Sequence, residues 1–166
     1  MHIVPYEVMQ QSQWLVYRSC DTLNNEIWKE FLDLCEAETF RYRILTYSPE
    51  IRREQCWADR DFNTMKSSFD LLHRHNSDHS KLTRQAVVQH VAYNEAAREV
   101  AVRSSLAIYR TQMDGTMSYL ESGQSALYAI GTYVDRIRIE NDTPLLLERV
   151  VNLDTRQLDV GSHKPF

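Results

Sequence analysis

The sequence is poor in the features that mark several specialised classes of protein. Only four of its 166 residues are glycine and 43% are hydrophobic, which excludes collagen-like and disordered chains and indicates a folded protein. No segment approaches the roughly 18 consecutive apolar residues of a membrane-spanning helix, and the first residues do not follow the pattern of a signal peptide. The net charge of −4 and the scattered arginines give no pull toward nucleic acid. We therefore expect a cytoplasmic protein that binds neither membranes nor nucleic acid.

Motifs for nucleotide-dependent or standard hydrolytic chemistry are also missing. The chain contains no G-x-G-x-x-G, P-loop, G-x-S-x-G or H-E-x-x-H sequence. Cysteine is scarce, and Cys20, Cys35 and Cys56 lie among apolar positions with helical spacing. Their odd number and their positions predict reduced, mostly buried thiols rather than a disulfide framework.

The first part of the chain carries the periodicity of helices. Over residues 5–35, apolar side chains recur at helical spacing and predict two helices, broken near the segment DTLNNE at residues 21–26. Asn24 or Asn25 is the expected N-cap of the second helix. Alternating apolar and charged side chains then predict a strand at residues 40–48.

A third helix and a series of strands follow. Asp59 or Asp61 is expected to cap this helix, and Asp114 with Gly115 forms a strong hairpin signal. The predicted buried stripe of this helix is Phe62, Met65, Phe69 and Leu72. Strand-like segments follow at residues 81–95, 99–112 and 117–140, and a last strand comes after a loop at residues 140–144. This order predicts one α+β domain over residues 1–166, in which about three helices pack on one face of a curved antiparallel sheet.

Two charged residues lie on the apolar side of the last predicted hairpin, residues 131–154. If residues 140–144 form its loop, the loop length fixes which residues face each other. The pairs on one side are then Ile139–Leu145, Ile137–Leu147, Asp135–Arg149 and Tyr133–Val151, and those on the other are Arg136–Glu148 and Val134–Val150. Asp135 therefore falls opposite Arg149, within reach of a cross-strand ion pair.

Two interpretations of this pair remain open. An internal salt bridge that fixes the register is favoured, because an unpaired buried carboxylate is costly. Alternatively, Asp135 lines a pocket inside the curved sheet as a general base, although His90, which also lies in a predicted strand, is the better candidate for that role. An arginine neighbour makes Asp135 a poor base, so we predict a structural pair.

The segment DLLHRHNSDH, residues 70–79, is the one place that resembles a metal site. His75 and His79 would share a helix face, and Asp70 and His73 are also at helical spacing. The polar residues between the last two histidines indicate that the helix ends there. Histidines near a helix C-terminus also complement its negative end without a metal. We therefore predict no metal ligand in this chain.

The second half of the chain resembles a known family. The segments SSLAIYRTQMDG and SALYAIGTYVDRIRIENDTPLLLERVVNLDTRQL are similar to the small (β) subunits of Rieske non-haem iron ring-hydroxylating oxygenases. Arg149, Val151, Leu153 and Asp154 stand at the positions of that family's R-x-V-x-L-D strand, and EIWKEFLDLCEAETFRYRI resembles its opening helices. The segment YSPEIRREQCW and the ending VGSHKPF depart from the naphthalene and biphenyl dioxygenase subunits. They are more similar to an outlying branch that includes methanesulfonate monooxygenase.

The resemblance implies a cone-shaped sheet of the kind found in nuclear transport factor 2 (NTF2). It also implies a subunit that assembles and stabilises an oxygenase, binds no iron and carries no catalytic residues. The implied partners are a large (α) subunit, holding a Rieske [2Fe-2S] cluster and a mononuclear Fe(II), and copies of this chain in an α3β3 hexamer. The sequence agrees, because it has no C-x-H or C-x-x-H motif for the cluster and no D-x-x-H-x-x-x-x-H motif for the iron. Alternatives are a stand-alone NTF2-like enzyme of dehydratase or isomerase type and a small-ligand binding protein.

Overall fold

The computed structural model describes residues 4–113, 120 and 122–166. Within these residues the chain forms three helices and six strands. The helices are α1 (Tyr6–Asn24), α2 (Trp28–Asp33) and α3 (Phe62–His75), and the strands are β1 (Arg41–Ser48), β2 (Arg53–Asp61), β3 (Lys81–Asn94), β4 (Glu99–Thr111), β5 (Ser125–Glu140) and β6 (Thr143–Leu153). The predicted α+β class is confirmed, whereas the hairpin signal at Asp114 and Gly115 lies outside the described residues.

The break between α1 and α2 lies where the sequence predicts it, but the residue at the N-cap of α2 differs from the prediction. Asn25 follows α1 and donates from its side-chain amide to the carbonyl oxygen of Asp21 at 2.9 Å, so it closes the first helix. Glu26 then adopts a left-handed conformation with φ of 57°. Ile27 takes the N-cap position of α2 without a side-chain hydrogen bond. The predicted N-cap role of Asn24 or Asn25 is wrong, because both side-chain amides bind other partners.

α3 follows its sequence pattern closely. The side chain of Asp61 caps the helix by accepting from the backbone N–H of Thr64 at 2.8 Å. Met65, Phe69 and Leu72 are buried along one face of the helix, as their spacing predicts. The cap and the apolar stripe therefore set where α3 begins and which face it buries.

The strands form one curved sheet in the order β2-β1-β6-β5-β4-β3. β3, β4, β5 and β6 pair as consecutive antiparallel hairpins, as predicted. β1 and β6 pair in parallel, so the expectation of a wholly antiparallel sheet is wrong. β2 has no counterpart in the prediction, because most of its residues are exposed and show no alternation of apolar and polar side chains. Register shifts in four of the strand pairs bend the sheet.

The buried apolar side chains fill the space between the helices and the concave face of the sheet. α1 contacts β3, β4 and β6, and α3 contacts β1 and β2. One connected cluster of buried residues joins these elements, including Leu15 of α1, Phe31 of α2, Met65 of α3 and Val151 of β6. This cluster is the core on which the helices and the sheet depend.

The prediction of free, mostly buried thiols is confirmed. Cys20 and Cys35 are buried within the core cluster, and all three cysteines are free. Cys56 is exposed because it lies on β2, the strand at the edge of the sheet.

Candidate functional site

The β5–β6 hairpin turns more tightly than the sequence predicts. Asn141 and Asp142, with φ of 47° and 62°, form a two-residue turn, so Glu140 pairs directly with Thr143. Residues with small polar side chains tolerate such left-handed positions better than most. The predicted loop at residues 140–144 is therefore wrong.

A bulge farther along this hairpin restores the predicted register. Next to the turn, the observed pairs are Ile139–Pro144 and Ile137–Leu146, in place of the predicted Ile139–Leu145 and Ile137–Leu147. Between Arg136 and Ile137 the register shifts by one residue, and Leu147 is the extra residue. Beyond the bulge the pairs are Arg136–Glu148, Asp135–Arg149, Val134–Val150 and Tyr133–Val151. The short turn and the bulge offset each other, which is why these four pairs agree with the prediction.

Asp135 and Arg149 form a bidentate ion pair inside the curved sheet. Arg149 donates from Nε to Oδ1 at 2.8 Å and from Nη2 to Oδ2 at 2.7 Å, and both side chains are 0% exposed. The guanidinium group also lies 4.0 Å above the centre of the Tyr133 ring. Burial alone would lower the pKa of Arg149, but the attraction and hydrogen bonds of Asp135 hold it above its ordinary value. Because both oxygens of Asp135 accept from one arginine, this carboxylate is poorly placed to take a proton from a substrate.

A second arginine, Arg84 of β3, is buried in the same interior. It donates from Nη1 to the side-chain oxygen of Asn24 and to the carbonyl oxygen of Leu82, each at 3.2 Å, and from Nη2 to the carbonyl oxygen of Pro165. Within the described residues its hydrogen-bond acceptors are all neutral, and burial lowers its pKa. Sequence reasoning missed Arg84. The sequence did contain a signal for it. Arg84 stands between Leu82 and Ala86 on the apolar side of β3, just as Asp135 interrupts the apolar side of β5.

Hydroxyl groups complete the polar lining of this interior. Tyr42 of β1 donates to the carbonyl oxygen of Phe166 at 3.1 Å and accepts from the Phe166 N–H at 2.8 Å. Tyr133 and Ser104 face each other across β5 and β4, and neither hydroxyl has a partner in the part of the chain that the structure describes. Burial raises the pKa of both Tyr42 and Tyr133, so these phenols stay protonated at neutral pH. The lining therefore offers hydrogen-bond donors rather than a base.

His90, the alternative candidate base, does not lie in this interior. It is exposed and sits beside a bulge in β3. Val88 and Val91, on either side of it, are the residues that pack against the core. The structure therefore separates His90 from Asp135.

The histidine-rich segment after α3 does not converge on one point. α3 ends at His75, so His79 is not on the same helix. Asp78 accepts from Arg110 at 3.1 Å and from the Ser80 hydroxyl at 2.5 Å. In residues 4–113, 120 and 122–166, no group of three or more His, Cys, Asp or Glu side chains could hold a metal ion. Nor does any helix in that part of the chain have the length and apolar character needed to cross a membrane.

Comparison with solved structures defines the class of fold. A chain of naphthalene 1,2-dioxygenase superposes with a TM-score of 0.72 at 14% identity, over 99% of this chain and 86% of that chain. A protein of the NTF2-like family from Streptomyces avermitilis superposes with a TM-score of 0.63 at 10% identity, over 92% of this chain and 100% of that chain. The predicted NTF2-like α+β fold is confirmed.

Comparison of sequences defines the family. The β subunit of the methanesulfonate monooxygenase hydroxylase from Methylosulfonomonas methylovora is 35% identical over 151 residues, 91% of this chain and 83% of that protein. The β subunit of 2-aminobenzenesulfonate 2,3-dioxygenase from Alcaligenes sp. is 34% identical over 151 residues, 91% of this chain and 94% of that protein. No family model matches the sequence. The chain belongs to the family of small (β) subunits of Rieske non-haem iron oxygenases, which confirms the resemblance drawn from its residues.

Proposed function

We propose that this chain is a non-catalytic β subunit that assembles and stabilises a Rieske oxygenase. The observation that carries the proposal is its 35% and 34% identity to two oxygenase β subunits, each over 91% of the chain. The Rieske [2Fe-2S] cluster and the mononuclear Fe(II) would belong to a large subunit. This chain would act in the cytoplasm as one domain over residues 1–166, within a hexamer of three large and three small subunits.

The interior supports a structural role. Asp135 is a buried carboxylate of the curved sheet, and Arg149 binds both of its oxygens. A general base must be free to accept a proton from a substrate. A stand-alone dehydratase or isomerase therefore gains no support from this site, and His90 lies outside it.

One surface suited to assembly is the face of the sheet turned away from the core, here called the outer face. It exposes large apolar side chains on three neighbouring strands, namely Val87, Tyr109, Leu127, Ile130 and Val134. Apolar side chains grouped on a protein surface mark sites of protein–protein contact. The outer face is therefore where we expect another subunit to bind.

A second apolar surface lies on α1. Tyr6, Trp14 and Tyr17 are exposed, and Trp14 borders a groove of about 400 Å³ that Leu34 and Pro144 also line. Aromatic side chains often contribute most of the binding energy at interfaces. A chain with two unlike surfaces can join its own copies head to tail in a ring and bind a different subunit as well.

Co-expression with a candidate large subunit, followed by light scattering on the purified material, tests the assembly role. We expect a complex with the mass of three subunits of each kind. Ile130→Lys on the outer face should weaken assembly by about ten-fold or more, because it places a charge in an apolar contact. Ser67→Lys, at an exposed position of α3, is the matched control and should assemble normally. A chain that stays monomeric beside its large subunit and itself converts a carbonyl or hydroxyl compound would contradict the proposal.

The names of the two relatives support a proposal for the substrate class of the assembled enzyme. One is the β subunit of methanesulfonate monooxygenase and the other that of 2-aminobenzenesulfonate 2,3-dioxygenase. We extend the proposal to an organic sulfonate as substrate. Oxygen uptake by the purified complex should then respond to one of these two sulfonates and not to naphthalene. A response to naphthalene alone would overturn the sulfonate assignment and leave the subunit role intact.

A further inference from the structure

The last part of the chain, residues 154–166, has no helix or strand, and side chains of the domain hold it in place. Residues 160–164 are held by the Tyr128 hydroxyl, which donates to the Val160 carbonyl at 2.6 Å, by the His163 N–H, which donates to Asn76 Oδ1 at 3.0 Å, and by Lys164 Nζ, which donates to the Ser80 carbonyl at 2.8 Å and pairs with Glu26. Nearer the sheet, the N–H groups of Asp154 and Thr155 donate to the Ile130 carbonyl at 3.0 and 3.3 Å, and Arg156 pairs with Glu50. The bonds of residues 160–164 involve single side chains rather than a strand ladder. We therefore expect this segment to open at a lower free energy than the sheet.

Residues 165 and 166 lie inside the core. Phe166 is 4% exposed and belongs to the connected cluster of buried residues. Its ring meets that of Tyr128 edge to face, with centroids 5.8 Å apart, and its backbone binds Tyr42 in both directions. Pro165 offers its carbonyl oxygen to Arg84. A segment without helix or strand thus places an aromatic ring and a hydrogen-bond acceptor in a buried polar site.

The groups that these two residues contact have the chemistry of an anion site. Arg84 carries a buried positive charge, and the described residues give it only neutral acceptors. Asp135 is fully engaged by Arg149, so it does not compensate this charge. The hydroxyl groups of Tyr133 and Ser104 add two donors without described partners. Glu26 attracts Arg84 electrostatically but is paired with Lys164, and no described hydrogen bond joins it to Arg84. Since a buried charge is costly without a counter-ion in contact, this interior favours a ligand with one negative charge.

We propose that residues 160–166, here called the tail plug, occupy a binding site for a small aromatic monoanion, and that release of the plug opens this site. The ring of the ligand takes the place of the Phe166 ring beside Tyr128. The anionic group takes the place of the Pro165 carbonyl on Arg84. Tyr42, released from Phe166, donates to the same anionic group. This site lies within one chain and does not depend on assembly with a large subunit.

The covalent structure of the plug specifies the length of the ligand. The carbonyl carbon of Pro165 is joined to the ring of Phe166 through the backbone nitrogen, Cα and Cβ. In 4-phenylbutyrate the same number of atoms separates the carboxylate carbon from the ring, so this probe matches both contacts. 4-Phenylbutyramide keeps the shape without the charge, and butyrate keeps the charge without the ring.

Isothermal titration calorimetry on the full chain tests the site. In the wild type the probe must displace the plug, which reduces its apparent affinity by the fraction of molecules that are open. Phe166→Ala weakens the plug inside the site, and Lys164→Met removes an anchor outside it. Each variant should bind 4-phenylbutyrate about ten-fold more tightly than the wild type. Leu127→Ala, on the outer face, is the control and should bind as the wild type does.

Hydrogen exchange then identifies the segment that moves. Saturating 4-phenylbutyrate should speed the exchange of the His163 and Phe166 amides and leave the amides of β5 unchanged. If 4-phenylbutyramide binds as tightly as 4-phenylbutyrate, the anionic part of the proposal is wrong. Two results would overturn the plug itself: no saturable binding in either variant, or wild-type tail amides that exchange only with global unfolding. Hydrogen exchange of the wild-type chain needs no variant, so it tests the tail plug even if a substitution prevents folding.

Discussion

Replacing Arg149 with methionine should destabilise the chain more than replacing both Arg149 and Asp135. In the single variant the carboxylate of Asp135 stays buried without its partner, since both of its hydrogen bonds come from Arg149. Removing one member of a buried ion pair costs about 3–5 kcal/mol. Replacing both members with apolar side chains of similar volume is often neutral or stabilising. The double variant Asp135→Leu with Arg149→Met should therefore recover much of the lost stability.

The stacking of Arg149 on Tyr133 adds to the cost of the single variant. The guanidinium group lies 4.0 Å from the ring centre, a contact worth about 2 kcal/mol when it is buried. Both the Arg149→Met variant and the double variant lose this contact, so it cancels from the coupling energy. We expect a coupling of at least about 3 kcal/mol between Asp135 and Arg149, and a melting temperature lower by roughly 10 °C for Arg149→Met.

Urea unfolding followed by tryptophan fluorescence measures the four free energies of this cycle. The matched control is the pair Arg136–Glu148, one residue away on the opposite face of the same hairpin. Its charged atoms are 4.0 Å apart and its side chains are 50% and 24% exposed, so its coupling should stay below about 1 kcal/mol. An inner coupling no larger than the outer one would refute the assignment of Asp135 and Arg149 as a buried structural pair.

Three further predictions concern other parts of the chain. A thiol reagent should modify only Cys56 in the native protein, and Cys20 and Cys35 only after denaturant is added, because both are buried and burial raises their pKa. Asp78→Asn should destabilise the chain at pH 7 but progressively less below about pH 4. Burial alone would raise the pKa of Asp78, but hydrogen bonds from Ser80 and Arg110 hold that pKa below its usual value. The stabilisation from Asp78 is therefore present above its unfolded pKa and is lost as the pH falls. Urea titrations at several pH values check this sign. Gly131→Ala should cost about 1–3 kcal/mol or more, because its Cβ would overlap the carbonyl oxygen of Asn152, whereas Gly161→Ala, which meets no atom within 4 Å, should be neutral.

The parts of the fold that the sequence predicts are those with local signals. β3 to β6 alternate buried and exposed side chains. The start of α3 is indicated by Asp61 and the apolar stripe that follows it. β2 lacks such a signal, because it lies at the sheet edge with most of its side chains exposed. The parallel pairing of β1 with β6 joins segments that lie far apart in the chain. A local sequence pattern does not predict such a pairing.

The interior could be predicted only in part, for the same reason. Asp135 and Arg149 interrupt an apolar alternation, which marks them as buried polar residues, and Arg84 could have been found by the same argument. Phe166 could not, because it enters the core from an irregular segment through contacts with Tyr42 and Tyr128 that no periodicity records. Even the correct pairing at Asp135 depended on two unpredicted features, a shorter turn and a bulge, that compensate each other.

The described interior has buried polar side chains but no free base, because Arg149 binds its carboxylate Asp135 and the other groups are hydrogen-bond donors. Asp135, Arg149, Arg84 and Tyr133 are all buried there. A proton-transfer enzyme on this fold needs one such group left free, with a pKa near the working pH. Here Arg149 binds both oxygens of Asp135, and burial raises the pKa of Tyr133 and keeps it protonated. Pairing removes most of the cost of burying Asp135 and Arg149, so a structural role is enough to explain their presence. The apolar side chains of the outer face then remain available to bind other subunits, so the interior and the surface argue for the same role.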